Sequence, residues 1–297
     1  MSVFRRIASG TALSLPLLLS GCFILSTTRH LPIPKAPAVV QAVTPEQLVA
    51  QLDERWDALQ TLNAKVEIQT SVLKTEQGVA RDFTSFPANI LIRKPEMLRV
   101  YGRVPVIGTE MFDMGSDGRT FTLYIPSKNK AIEGSNALTK KSANALENMR
   151  PGFFFDAMVV RGLAPNDDYS VTADSETVED ASKKHLLLTP EYILSIMRIK
   201  PGSRELTPVR VITFHRDDLL PSEQDLYDSE GNLETHVSYR DYRDFGFGPY
   251  PSTIIIKRPL EEYQIVLTVE KITENMTLND DQFVANVPAG TTIQTLE

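Results

Sequence analysis

Two hydrophobic periods organise the first part of the chain. Leu48, Leu52, Trp56 and Leu59 recur every three or four positions, while Asp53, Glu54 and Asp57 take the opposite side. This spacing predicts an amphipathic helix over about 44–59. Thr44 is placed to cap it, Pro45 suits its first turn, and Gln47 completes a capping-box spacing. At Leu62 the period changes to two. Leu62, Ala64, Val66, Ile68, Thr70 and Val72 share one face, and Asn63, Lys65, Glu67, Gln69 and Ser71 the other. That is the pattern of an antiparallel strand with one wet side. More strands are predicted over about 81–93, 97–104, 109–114 and 119–125. Asp117-Gly118 is a hairpin turn, and Pro95 and Pro126 fall at strand ends.

The pattern changes again over 142–160. Ala143, Leu146 and Met149 suit a helical turn or two, and Pro151 can start a second helix through Phe153, Phe154, Phe155, Ala157, Met158 and Val159. That segment is apolar nearly all round, so it should be covered on several sides. Residues 164–182 are acidic and polar, a loop or an irregular edge hairpin. The last third reads as strands over 184–188, 192–200, 207–216, 223–228, 233–242, 253–257 and 263–272. Turns lie at Pro201-Gly202 and Glu230-Gly231-Asn232. Phe245-Gly246-Phe247-Gly248-Pro249 predicts a loop with exposed aromatics or a bulge-rich bend. No repeat of solenoid or propeller period is visible. The fold class expected is mainly β (α+β): one domain built on a strongly curved antiparallel sheet, with a few helices on its concave side.

Residues 1–43 belong to another class. Arg5 and Arg6 precede an apolar run from Ile7 to Leu19, followed by Ser20-Gly21-Cys22. A basic start, a short apolar run and small residues before a cut site make a secretory signal, and the run is too short to remain as a spanning helix. Cys22 is the only cysteine. Leu19-Ser20-Gly21-Cys22 resembles the lipobox of bacterial lipoproteins. The resemblance implies that Cys22 is acylated, with palmitate among its chains, and becomes the first mature residue. Several chains on one residue anchor firmly where a single chain does not. Phe23, where an Asp would retain the protein at the inner membrane, implies the outer membrane, facing the periplasm. Pro32, Pro34 and Pro37 then mark an extended tether. The expected organisation is a signal peptide over 1–21, a Pro-rich tether over 22–43 and a folded domain over 44–297.

Composition narrows the partners. A formal net charge of −7 argues against nucleic acid or an anionic membrane face as the main partner. An exported chain with one cysteine forms no internal disulfide, so stability must come from its core, to which a hydrophobic content of 42% is suited. No catalytic constellation is visible. His30, His185, His215 and His236 are scattered and lack metal-ligand spacing. There is neither a nucleophile elbow nor a phosphate loop. The doublets Asp167-Asp168, Asp217-Asp218, Glu261-Glu262 and Asp280-Asp281 read as solvated turn residues. The expectation is a protein that is not an enzyme and uses no cofactor or metal.

Several short motifs resemble those of the LolA/LolB-like lipoprotein carriers. Ile92-Arg93-Lys94-Pro95 and Leu98 match a basic residue and proline ending one strand. Ser116-Asp117-Gly118-Arg119-Thr120-Phe121, with Tyr124 and Pro126, matches a turn and a strand end. Asp281-Gln282-Phe283 and Val287-Pro288-Ala289-Gly290 match the close of the chain. The resemblance implies an unclosed half-barrel whose apolar concave face is lidded by helices and holds acyl chains of a lipidated protein or a lipid. Its wall would come from Leu98, Val100, Phe112, Phe121 and Leu123. Its lid would come from Leu48, Leu52, Trp56, Phe153, Phe154 and Met158. The acylated Cys22 favours the membrane-anchored receptor branch, whose partners would include a periplasmic carrier protein. Val106 and Ile107 stand where that branch has a membrane-inserting loop, and a buried turn is the alternative there. Lys94 stands where the soluble carrier has a lid-latching arginine; lysine cannot make the same planar, forked contacts. The chain is also longer than typical members, with extra strand material over about 163–200. The alternative function is a structural or assembly envelope lipoprotein that uses the curved sheet to dock a protein. If the loop assignment holds, Ile107→Glu abolishes delivery of cargo to membranes while leaving cargo binding intact. A vesicle-transfer assay run beside a binding assay checks it.

Overall fold

The computed structural model describes residues 29–31, 40–74, 78–103, 110–137, 150–179 and 182–296. Cys22 and the signal, most of the tether, the loop carrying Val106 and Ile107, and the segment with Ala143, Leu146 and Met149 lie outside the described residues.

The alternating stretches become strands of one curved sheet that does not close into a barrel. In chain order the first are β1 (Thr61–Lys74), β2 (Val79–Asp82), β3 (Phe86–Arg93), β4 (Met97–Arg103), β5 (Glu110–Ser116), β6 (Thr120–Ile125) and β7 (Lys130–Ser135). After an intervening helix come β8 (Asp168–Glu179), β9 (Leu186–Ile199), β10 (Leu206–His215), β11 (Pro221–Tyr227), β12 (Leu233–Asp244), β13 (Pro249–Arg258), β14 (Tyr263–Glu274) and β15 (Thr292–Thr295). Neighbours across the sheet run β15-β7-β6-β5-β4-β3-β1-β14-β13-β12-β11-β10-β9-β8, and β2 pairs with the far end of β1. β1 is thus the seam. It pairs with β3, next in sequence but for a short strand, and with β14 from the other end of the chain.

Most departures from the predicted strands lie where one face or one edge lacks a partner. Residues 164–182 hold β8, a strand that among the described residues pairs only with β9 and is exposed along most of its length. With neither face buried, it has no alternation to read. The predicted segments 184–188 and 192–200 form the single strand β9, which runs through Pro190. Residues 186–189 pair with β8 alone; the β10 ladder ends at Glu191, past which Arg216 N–H donates to Pro190 O at 2.9 Å, so the missing N–H of Pro190 falls at the ladder's end and is tolerated. Residues 81–93 divide between β2 and β3. The strands β7 and β15 were not predicted; they pair in parallel, whereas the other pairings are antiparallel.

One sheet face collects the apolar residues. Leu62, Val66, Ile90, Leu98, Met114 and Leu123 join Val237, Ile254 and Leu267 in one buried cluster. At its centre lies α2 (Pro151–Met158), whose Phe153, Phe154, Phe155, Ala157 and Met158 are all buried. The helix α1 (Pro45–Ala58) is capped as its sequence suggests. Thr44 Oγ1 accepts from Gln47 N at 3.3 Å, and Gln47 Oε1 accepts from Thr44 N at 2.8 Å.

The other sheet face is crossed by the end of the chain. Leu278 and Phe283 pack on Leu91. The buried carboxylate of Asp113 accepts from Arg99 Nε at 3.0 Å, from Arg99 Nη2 at 2.7 Å and from the N–H of Asn286 at 2.8 Å. The strap lies so close to β5 that a Cβ on Gly115 would sit 2.3 Å from the carbonyl oxygen of Phe283. Beyond it the chain becomes β15 at the margin of β7. Truncating α2 at its centre should expose how much the core depends on it. Phe154→Ala, at a side chain only 2% exposed, should cost about 3–5 kcal/mol, measured by urea denaturation.

Candidate functional site

The helices and the sheet meet differently from the predicted wall and lid. Leu98, Val100, Phe121 and Leu123 are fully buried in the same cluster as Phe153, Phe154 and Met158. Wall and lid therefore touch, and the space expected between them is filled by the side chains of α2. Phe112 sits half-buried at the rim, edge-on to Phe86 with ring centroids 5.9 Å apart. Leu48 and Leu52 do not reach those strands. They pack with Val49 on Tyr192, Leu194 and Ile196 of β9 and on Ile212 and Phe214 of β10. The extra strands draw α1 towards the far end of the sheet, where they supply an apolar surface of their own. Only its last turn turns back: Trp56 meets Phe155 edge-on at 6.4 Å.

Lys94 joins the β3–β4 turn to that last helical turn. Its Nζ donates to the carbonyl oxygen of Trp56 at 2.5 Å and lies 4.1 Å from the indole centroid. An ammonium here satisfies a carbonyl at the negative end of the helix dipole. Burial pulls the Lys94 pKa below its usual value, with Asp57 opposing the shift. One point charge thus makes contacts from sheet to helix without a guanidinium fork.

An apolar pocket of about 280 Å³ remains where α1, the end of α2 and the β12–β13 hairpin meet. Leu52, Leu59, Met158, Val160, Tyr239 and Phe247 are among its lining residues. The tyrosine hydroxyls around it are bonded to protein. Tyr242 donates to the carbonyl oxygen of Pro221 at 2.7 Å, Tyr250 to that of Met158 at 2.8 Å, and Tyr239 accepts from Gln224 Nε2 at 3.3 Å. Burial holds all three phenols well above their usual pKa, so they stay neutral. The β12–β13 loop gives the pocket its mouth. Asp244 Oδ1 accepts from the N–H groups of Gly246 and Gly248 at 2.7 and 3.1 Å. This turn folds Phe245 and Phe247 back onto Tyr250 at 6.2 and 6.1 Å. These aromatics are half-buried rather than exposed, because Gly246 and Gly248 adopt positive φ of 101° and 116°. Arg55 and Glu274 stand at the pocket's polar edge, and Arg55 Nη1 donates to Leu219 O at 3.2 Å.

The remaining candidates are paired locally. His215 faces Glu191 at 3.5 Å, and His236 bonds Asp225 at 2.7 Å. Among the described residues, no three His, Cys, Asp or Glu side chains lie close enough to hold a metal ion. Asp280 pairs with Arg93, and Asp167 with Arg198 at 2.5 Å. Glu261 is not a solvated turn residue. The short 3-10 turn over Pro259–Glu261 tucks its carboxylate beneath Arg258, at 3.1 Å from the guanidinium. No sequence signal marked Arg258, Arg210 or Gln224, since each comes from a different strand and forms no motif with its neighbours. They are buried on the helix-bearing side of the sheet.

Lys94→Met should lower stability by about 1–2 kcal/mol through the lost charged hydrogen bond and ring contact. It should also shift the emission of Trp56, the only tryptophan; fluorescence-monitored urea unfolding reads both.

Neither a family model nor a curated protein sequence matches the chain. Solved structures do resemble it. A LolA superfamily protein from Nitrosomonas europaea is 16% identical, with a TM-score of 0.49, over 82% of this chain and 98% of its own. A DUF1329 family protein from Desulfovibrio piger is 16% identical, with a TM-score of 0.44, over 80% and 95%. A domain named for outer-membrane lipoprotein sorting, from Vibrio parahaemolyticus, is 11% identical, with a TM-score of 0.42, over 80% and 94%. The likeness is to an open, curved antiparallel sheet, and it extends to neither ligand nor activity.

Proposed function

We propose that this protein is a carrier for lipids or acylated proteins in the cell envelope, and that it is not an enzyme. The observation that carries the proposal is the apolar pocket between α1, α2 and the β12–β13 hairpin, whose tyrosine hydroxyls are turned into bonds with the protein. Each methylene moved from water into such a pocket contributes about 0.8 kcal/mol. Its 280 Å³ lies at the small end of ligand pockets. It admits the tip of one chain, and a longer chain requires α2 to yield part of its place. Leu52 and Met158 would contact the chain. Leu98, Val100, Phe112, Phe121 and Leu123 would form the wall uncovered as α2, with Phe153 and Phe154, withdraws. Leu48 and Trp56 would hold α1 in position, with Lys94 as the tie from sheet to helix. Acylation at Cys22 would place the protein on the outer membrane facing the periplasm, Val106 and Ile107 would enter the bilayer, and a periplasmic carrier protein would be its donor.

One observation favours a second function, that of an assembly lipoprotein docking a protein on its sheet. The face expected to be hollow is occupied by the molecule's own helix. Native mass spectrometry of the full chain in mild detergent separates the two. Carriage predicts co-purified lipid and saturable uptake of an acylated peptide. Docking predicts neither, with a stable protein partner instead. Val160→Phe fills the pocket and should reduce acyl uptake at least ten-fold at unchanged thermal midpoint. Cys22→Ala should move the protein from the membrane to the soluble fraction, read by fractionation.

A further inference from the structure

A second cavity, of about 860 Å³, opens at the other end of α2 and is built from charged and polar groups. Its walls bring together Gly152, Phe153 and Asp156 of α2 with Arg210, Arg258 and Glu261 from the later strands and turns. Much of the local charge is matched. Arg161 pairs with Asp156, and with Glu96 at 3.3 Å; Arg258 pairs with Glu261 at 3.1 Å and with Glu234 at 3.2 Å. Carboxylates, Asp228 and Glu230 among them, outnumber guanidinium groups in the lining, so what distinguishes the cavity is which buried groups have bonds left to make.

Three features call for an anion. Arg210, 6% exposed, spends its guanidinium on the carbonyl oxygens of Arg161 and Gly162 at 2.7 Å each, with no carboxylate at ion-pair distance among the described residues. Arg258, 4% exposed and beside the Tyr263 hydroxyl, leaves its Nε–H without an acceptor in hydrogen-bond geometry among the described residues. Among the described residues the first turn of α2 has no side-chain cap, which leaves its N–H groups and the positive end of its dipole suited to a negative group. Buried acceptors nearby call for a donor. Among the described residues Glu261 Oε2, on a side chain 4% exposed, has no hydrogen-bond partner, nor has Asn136 Oδ1. A buried donor or acceptor left unmade costs about 1–3 kcal/mol, so a matching ligand gains by completing them.

We infer that this cavity binds a phosphoester carrying a hydrogen-bond donor close to the phosphate, as a phosphoethanolamine head does. The phosphate meets Arg258 Nε, Arg210 and the start of α2, and the ammonium meets Glu261. The inference depends on the carrier function only for its lipid source. A soluble phosphoester would fit the same groups.

Isothermal titration calorimetry on the full chain in mild detergent tests this with three probes: O-phosphoethanolamine, dihexanoyl phosphatidylethanolamine and phosphocholine. Saturable binding of O-phosphoethanolamine supports the site with a soluble source. Binding of the short-chain lipid alone supports it with a lipid source. In both cases phosphocholine, whose head lacks an N–H donor, should bind at least ten-fold more weakly. Arg258→Lys should weaken binding ten-fold or more. Because that side chain is buried, Gly152→Glu provides an independent test. An added Cβ there meets nothing within 4 Å, and an acid in the first turn suits the helix, so folding is kept while the anion is repelled. Loss of binding in Gly152→Glu at an unchanged thermal midpoint supports the site. Wild-type affinity in that variant, equal affinity for phosphocholine, or no saturable binding of either ethanolamine probe overturns it. Failure of acylated-peptide uptake with headgroup binding intact would remove carriage and leave this site standing.

Discussion

The pairing of β1 with β14 is the constraint on which the structure depends. β1 is the one place where the first third of the chain and the last third share a ladder, from Leu62 with Glu274 to Val72 with Tyr263. A strand's side chains alternate between faces, so this register decides where both halves send their apolar residues. It puts Leu62, Val66 and Ile68 on the same side as Leu267 and Val269. A bulge between Lys65 and Val66 absorbs one residue without turning the pattern over. The result is a single apolar face too broad for one helix, and two helices divide it. α2 takes the middle, and α1 takes the end built by β9 and β10.

That division accounts for what the site looks like. A helix apolar on all sides is stable only if surrounded, and Phe153, Phe154 and Phe155 are surrounded because strands from both halves curve around them. Two open spaces then fall at its two ends, with opposite chemistry. At the C-terminal end lie aliphatic and aromatic side chains whose few hydroxyls are already bonded. At the N-terminal end lie guanidinium and carboxylate groups with bonds unmade. Gln224 lies between them, its Nε2 donating both to the carbonyl oxygen of Asp156 and to Tyr239. An amphiphile would find both kinds of surface along about 12 Å of helix, from the eight residues of α2.

Legibility in the sequence followed burial. The alternation in β1, the capping box at Thr44 and the Asp117-Gly118 turn could be read because each is local and repeats a physical rule. Asp117 Oδ1 accepts from Arg119 N and Thr120 N at 2.8 Å each, and Gly118 takes a φ of 93°. β8 and β15 could not be read, since an edge strand exposed on both faces carries no period. The destination of Leu48 and Leu52 was out of reach for another reason. Their stripe declares that something apolar covers it, but not which strands. The polar cavity was invisible because Arg210 and Arg258 come from separate strands, and each alone resembles a wet-face residue. Glu261 misled because a proline-led acidic doublet ordinarily marks a solvated turn.

The two margins of the sheet are protected by different means. On one side β15 arrives in parallel and covers the outer edge of β7, held by the strap over Gly115 and Asp113. On the other, β8 keeps an open ladder among the described residues, guarded by Asp168, Asp174 and Glu176. A second molecule offering the same margin would bring carboxylates against carboxylates, and open ladders that repel themselves do not propagate into fibres.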